Sequence, residues 1–213
     1  MNEQLPYTVI RSKRKTLSIT VNREGEIAIR APLRMSEKEI AAFFLRHAAW
    51  ANERALRAKA APVLSLENGA AVTLFGEQVT IRTGKARLTE DTLFLPDEGR
   101  KEALVSLLKR EAYGKILKIA EEFAKRYSFA NPAVHISAAR SRWGSCNRKG
   151  TLSFSCFLSF VPHEAAEYVV VHELCHTREF NHSARFWREV EGILPDYRAR
   201  KQLLKRYNWV LNG

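Results

Sequence analysis

Five consecutive residues of the chain, His172-Glu173-Leu174-Cys175-His176, have the types and spacing for metal-assisted hydrolysis. Histidines four apart on a helix lie about 40° apart around the axis and about 6 Å along it, so both imidazoles reach one ion. Zinc suits such a pair, because it accepts neutral imidazole nitrogen and its filled d shell imposes no geometry. Glu173 falls on the flank of that face, where it is free to take a proton from water at the metal instead of ligating. A catalytic zinc site needs a third protein ligand and an open fourth position. His182 is the candidate. On an unbroken helix residue 182 would face away from His176, so the chain must turn first, and Asn181 is expected to take the left-handed conformation that turns it. Ser183 would then cap a short helix with an apolar face of Phe186, Trp187 and Val190. Glu189 and Glu191 on that helix are the rival third ligands.

The other histidines carry less. His47 reads as a helix-surface or packing residue, and His163 as an exposed residue in a first helical turn. His135 reads as structural in a strand, with hydrogen bonding to a transition state as its alternative role. Cys175 reads as a small buried hydrophobe beside the ligand face.

Several elements must position these groups. Leu17, Ile19 and Val21 alternate with polar residues, and Ile27 and Ile29 resume after Arg23-Glu24-Gly25, which predicts a hairpin ending at Pro32. Ser36 with Glu39 forms a capping box that opens a helix with Ile40, Phe43, Phe44, His47 and Trp50 on its period. Pro62, Asn68-Gly69, Phe75-Gly76, Thr83-Gly84 and Pro96-Asp97 punctuate short alternating runs, which predicts a small antiparallel sheet joining the hairpin in one lobe. Residues 1–98 are thus expected to be a β-rich lobe with one helix, and residues 99–213 the metallohydrolase domain. There, Leu104 to Phe123 predict a long helix with Gly114 as a weak point. Val134-His135-Ile136 and the run from Gly150 to Leu158 read as strands, the second half-buried. Pro162 opens the helix that carries the histidine pair, and a last helix covers Tyr197 to about Tyr207.

Composition bounds the partners. Lys and Arg number 35 against 23 acidic residues, a formal charge of +12, which favours anionic partners such as nucleotides or nucleic acid. A merely soluble basic surface explains the excess equally well. Cys146, Cys156 and Cys175 form no C-x-x-C pair, so the expectation is free thiols in a reducing cytoplasm. The opening residues lack a secretory pattern and no window is apolar enough to span a bilayer, so no membrane partner is expected.

The sequence resembles the YgjP-like metallopeptidase family, relatives of the WLM and SprT-like zincins. The resemblance is carried by Arg140-Ser141-Arg142-Trp143-Gly144-Ser145-Cys146, by Tyr168-Val169-Val170-Val171 leading into the His172–His176 motif, and by Asn181-His182-Ser183-Ala184-Arg185-Phe186-Trp187. Arg11 to Lys15 and Arg30-Ala31-Pro32 fit the family's opening, whereas Cys175 stands where a smaller residue is expected. The resemblance implies an α+β fold, a minimal zincin-like core with an N-terminal β-rich extension. It also implies His172, His176 and His182 as zinc ligands and Glu173 as base. In such folds an extended substrate pairs with an edge strand above the metal, and Gly150 to Leu158 is the strand expected to serve. Arg142 and Trp143 are the substrate-binding candidates, Arg142 for an anion, although Trp143 and Gly144 also read as shaping the loop before the strand. Peptide hydrolysis is the leading expectation. The alternatives are nucleoside triphosphate hydrolysis, suited by Arg140, Arg142, Arg148 and Lys149, and a nucleic-acid-associated protease.

Overall fold

Apolar alternation at Ile27, Ile29 and Ala31, all essentially inaccessible, sets the middle strand of the first sheet in the computed structural model. The structure describes residues 5–22, 24–60 and 64–212. Arg23 of the expected turn, the break at Pro62 and the first four residues of the opening segment lie outside these. Two compact units divide at residues 63 and 64.

In the first unit, β3 (Ile27–Pro32) pairs antiparallel with β2 (Ser18–Val21) and parallel with β1 (Tyr7–Ser12). The hairpin is as expected. β1 was not, because Arg11 interrupts its apolar period. Helix α1 (Glu37–Lys59) starts at the predicted capping box: Ser36 Oγ accepts from Glu39 N–H, and the Glu39 carboxylate accepts from Ser36 N–H at 2.9 Å. It buries Ile40, Phe44, Ala51 and Ala55 against β3, while Trp50 and His47 face solvent.

The second unit holds two sheets and five helices among the described residues. β4 (Ala71–Leu74), β5 (Glu77–Thr83), β6 (Arg87–Leu88) and β7 (Thr92–Leu95) run in the order β4-β5-β7-β6. The sheet is mixed, not purely antiparallel, since β5 and β7 are parallel. It does not join the first sheet. Val72, Leu74, Ile81, Leu93 and Leu95 share one core with Leu104, Leu107 and Leu108 of α2 (Arg100–Arg126), which is why the division falls at 63/64 and not at 98/99. Gly114 does not break α2: the roughly 1 kcal/mol that a glycine costs in a helix is outweighed by the buried face on either side of it, Leu104 to Ala112 and Ile116 to Phe123.

β8 (Ala133–Ser137), β9 (Gly144–Cys146) and β10 (Thr151–Ser155) form the other sheet in the order β8-β10-β9, with β8 parallel and β9 antiparallel to β10. The strand expected to reach Leu158 ends at Ser155, whose Oγ accepts from Phe157 N–H and opens a 3₁₀ turn over Cys156–Phe160. Against this sheet and α2 lies α3 (His163–Cys175), buried on most sides through Tyr168, Val169, Val170, Val171 and Leu174. α4 (Ala184–Ile193), α5 (Tyr197–Lys205) and α6 (Asn208–Asn212) complete an α+β fold; α5 is the expected helix from Tyr197, and the short α6 follows it unforeseen. No helix among the described residues is long and apolar enough to cross a membrane.

Candidate active site

α3 ends at Cys175 through a succession of tight turns. Thr177 N–H and Arg178 N–H donate to Leu174 O and Cys175 O, and Thr177 Oγ also donates to Leu174 O at 2.7 Å. These bonds satisfy the last carbonyls of the helix without a left-handed residue. The expected role of Asn181 is therefore not the observed one. Its backbone is not left-handed, and its Oδ1 instead accepts from Ser183 N–H at 3.1 Å. Arg178 anchors the turn by donating to Tyr127 O and Ser128 O at the end of α2 and pairing with Glu189 at 2.8 Å.

The turn brings His182 back. Nε2 of His182 lies 3.1 Å from Nε2 of His172 and 3.2 Å from Nε2 of His176, and the ligand atoms of all three lie within 4.8 Å of one another. That spacing is close to the ~3.3 Å between imidazole nitrogens held about 2.0–2.1 Å from a tetrahedral zinc. Glu189 and Glu191 stand outside the group, each in an ion pair of 2.8 Å, with Arg178 and Arg198.

The tautomers suit an ion. His176 Nδ1 sits 2.9 Å from Glu179 O, and a carbonyl only accepts, so Nδ1 carries the proton and Nε2 presents a bare lone pair. Burial, reinforced by the charges of His176, His182 and Lys201, pushes His172 down to about 3, so it is neutral at pH 7 as ligation requires. Burial also lowers His182. The buried His172 Nδ1 has no partner among the described residues, which leaves Nε2 as its functional end.

Ser183 explains the local folding. Its Oγ accepts from Phe186 N–H and caps α4, so that Phe186 and Trp187 occupy the first turn of that helix. The fully buried Phe186 ring lies 4.9, 4.4 and 4.9 Å from the rings of His172, His176 and His182. Trp187 stacks on His182 at 5.6 Å. One apolar platform thus supports all three imidazoles. The sequence showed this pair as a helix face; its contact with the histidines depends on the turn.

Glu173 is 6% exposed, and no hydrogen bond or ion pair reaches its carboxylate among the described residues. Burial raises it to about 7, with the Arg142 guanidinium opposing. It opens into a cleft of about 490 Å³ whose walls are the three histidines, Arg142, Phe180 and β9. Arg142 is exposed there and has no ion-pair partner among the described residues. Trp143 is not among the cleft-lining residues: its ring packs against the main core and its indole N–H donates to Asn208 Oδ1 at 3.2 Å. The strand bordering the cleft is β9, not the expected Gly150–Leu158 segment, because β10 is paired on both sides. Spacing gave no sign of β9, which is only three residues long. His47 is exposed in the first unit, His135 is exposed and does not line the cleft, and His163 pairs with Glu167 at 3.0 Å.

Three imidazoles facing one point, beside a buried carboxylate without a partner among the described residues, are the equipment of the metal-dependent hydrolases. The chain belongs to the YgjP-like family, whose metallopeptidase-domain model matches residues 15–207. Among solved structures, the metallopeptidase zymogen of Pyrococcus abyssi abylysin is similar at 26% identity, over 44% of this chain and 89% of that one, with a TM-score of 0.37. No curated protein matches the chain.

Proposed function

We propose that this protein is a zinc-dependent metallopeptidase in which His172, His176 and His182 hold the ion and Glu173 is the general base. The observation that carries the reading is the convergence of three Nε2 atoms beside a carboxylate that is buried yet has no partner among the described residues. Family membership supports a peptidase-type hydrolase, and the all-imidazole donor set favours zinc. When bound, zinc supplies Lewis acidity, polarising a carbonyl and acidifying water.

The chain's own groups do the rest. Glu173, raised to about 7, is matched to taking a proton from water near neutral pH and returning it to the leaving amine. Among the described residues β9 is hydrogen-bonded to β10 on one side only, so its other edge suits an extended peptide added as a further strand. Arg142 offers paired donors to a substrate carbonyl or carboxylate from the cleft wall. Peptide is favoured over nucleoside triphosphate because Glu173 is the only carboxylate lining the cleft among the described residues, whereas metal-triphosphate chemistry draws on oxygen ligands. Free cysteines suit a reducing compartment, and this reading assigns the cytoplasm.

Purified protein assayed on casein and on a nucleoside triphosphate panel, with and without chelator, tests the proposal. Casein should be cleaved, the activity should vanish with chelator and return with zinc, and Glu173→Gln should lower it by about 10²–10⁴-fold. Unimpaired Glu173→Gln, or turnover of nucleotides alone, would refute it.

A further inference from the structure

An ideal Cβ at Gly144 would stand 2.7 Å from Glu173 Cγ, 2.9 Å from its Oε1 and 3.1 Å from its Cδ. The three nearest atoms all belong to the one carboxylate side chain. Gly144 is not in the left-handed region, so backbone conformation does not call for glycine here; space does. Carbon atoms in contact settle about 3.5–4.0 Å apart, so a methyl group would force one partner to move.

The strand is poorly placed to give way. Trp143 O accepts from Ser155 N–H at 2.9 Å, and the Trp143 indole is tied to Asn208. Gly144 pairs with Phe154, and Cys146 with Leu152, both wholly buried. The backbone of α3 is fixed by the core on its other sides. The movable element is the Glu173 side chain, which no hydrogen bond from the described residues holds.

We infer that Gly144 is a positioning residue for Glu173: the missing side chain lets β9 lie directly on the carboxylate and fixes where the base stands in the cleft. The inference rests on Glu173 being the base. It gives β9 two tasks, since the strand proposed to receive the peptide also sets the group that attacks it through water.

Gly144→Ala tests this. Crystal structures of the zinc-loaded wild type and variant should superpose at the three imidazoles, while the Glu173 carboxylate shifts by about 1 Å. A displacement of that size lowers kcat about 10²-fold. KM should stay within about threefold, and zinc content at one ion per chain. Glu173→Asp supplies the readout that a merely structural role would not move. In the wild-type background it should cost about 10²-fold, but in the Gly144→Ala background less than about threefold, because the shorter acid clears the methyl group. Additive losses, an unshifted carboxylate, or Gly144→Ala within threefold of wild-type kcat would overturn the assignment. If Gly144→Ala alone fails to fold, the double variant decides. Its folding supports the inference, and its failure shows that the methyl group meets the strand packing instead. If the wild type cleaves no peptide, the proposed function falls, yet the carboxylate shift still decides the positioning.

Discussion

Removing the charge at residue 173 should stabilise the metal-free protein by an amount that depends on pH. Glu173 is 6% exposed and without a partner among the described residues, and burial raises its carboxyl from 4.5 to about 7. At about 1.4 kcal/mol per tenfold change in proton affinity, keeping it ionised in the fold costs about 3 kcal/mol. Between pH 4.5 and 7 the folded chain holds a proton that the unfolded chain has released. Stability therefore falls as pH rises through that window and levels off above it. Glu173→Gln keeps the shape without the charge. Its advantage over wild type should be near zero at pH 4.5 and reach about 3 kcal/mol by pH 8. Urea unfolding of both proteins after chelation, in steps from pH 4.5 to 8.5, measures the difference directly. His172, held down to about 3, makes both proteins lose stability as pH falls below 6.5, and so cancels between them. A difference that stays flat with pH, or a wild type more stable than Glu173→Gln at pH 8, would refute the reasoning, since either outcome means the carboxylate is well solvated or paired.

Other consequences follow from the same geometry. Alanine at His172, His176 or His182 should lower zinc content after dialysis from one ion per chain towards none, read by elemental mass spectrometry, while Glu173→Gln keeps its ion. Phe186→Ala empties the platform under all three rings. It should cost about 3–5 kcal/mol in urea unfolding and weaken zinc binding in a chelator competition. Ser183→Ala removes the cap of α4 and should cost about 1 kcal/mol by the same unfolding assay.

The histidine pair and its glutamate were legible because helical spacing is local: positions 172, 173 and 176 lie on one rigid element. His182 was legible as a candidate, but the way it returns was not. The turn is closed by Thr177, Arg178 and Glu179 bonding to the end of α3, not by a left-handed Asn181. The capping signals at Ser36 and Ser183 were also local and both appear in the fold. What escaped depended on contacts distant in sequence. β1 is recruited parallel to β3 across 20 residues, and β4–β7 join the core of α2 instead of the first sheet. β9 borders the cleft because β10 takes the middle of its sheet. A glycine inside Arg142-Trp143-Gly144-Ser145-Cys146 gave no sign that its empty side faces Glu173.

Diffraction at the zinc absorption edge, from crystals of the purified protein, tests the central claim most directly. One anomalous peak should fall between Nε2 of His172, His176 and His182, each about 2.0–2.1 Å away, with the Glu173 carboxylate outside the coordination sphere. An ion bound elsewhere, one ligated by Glu173, or no peak from protein supplied with zinc would contradict the account.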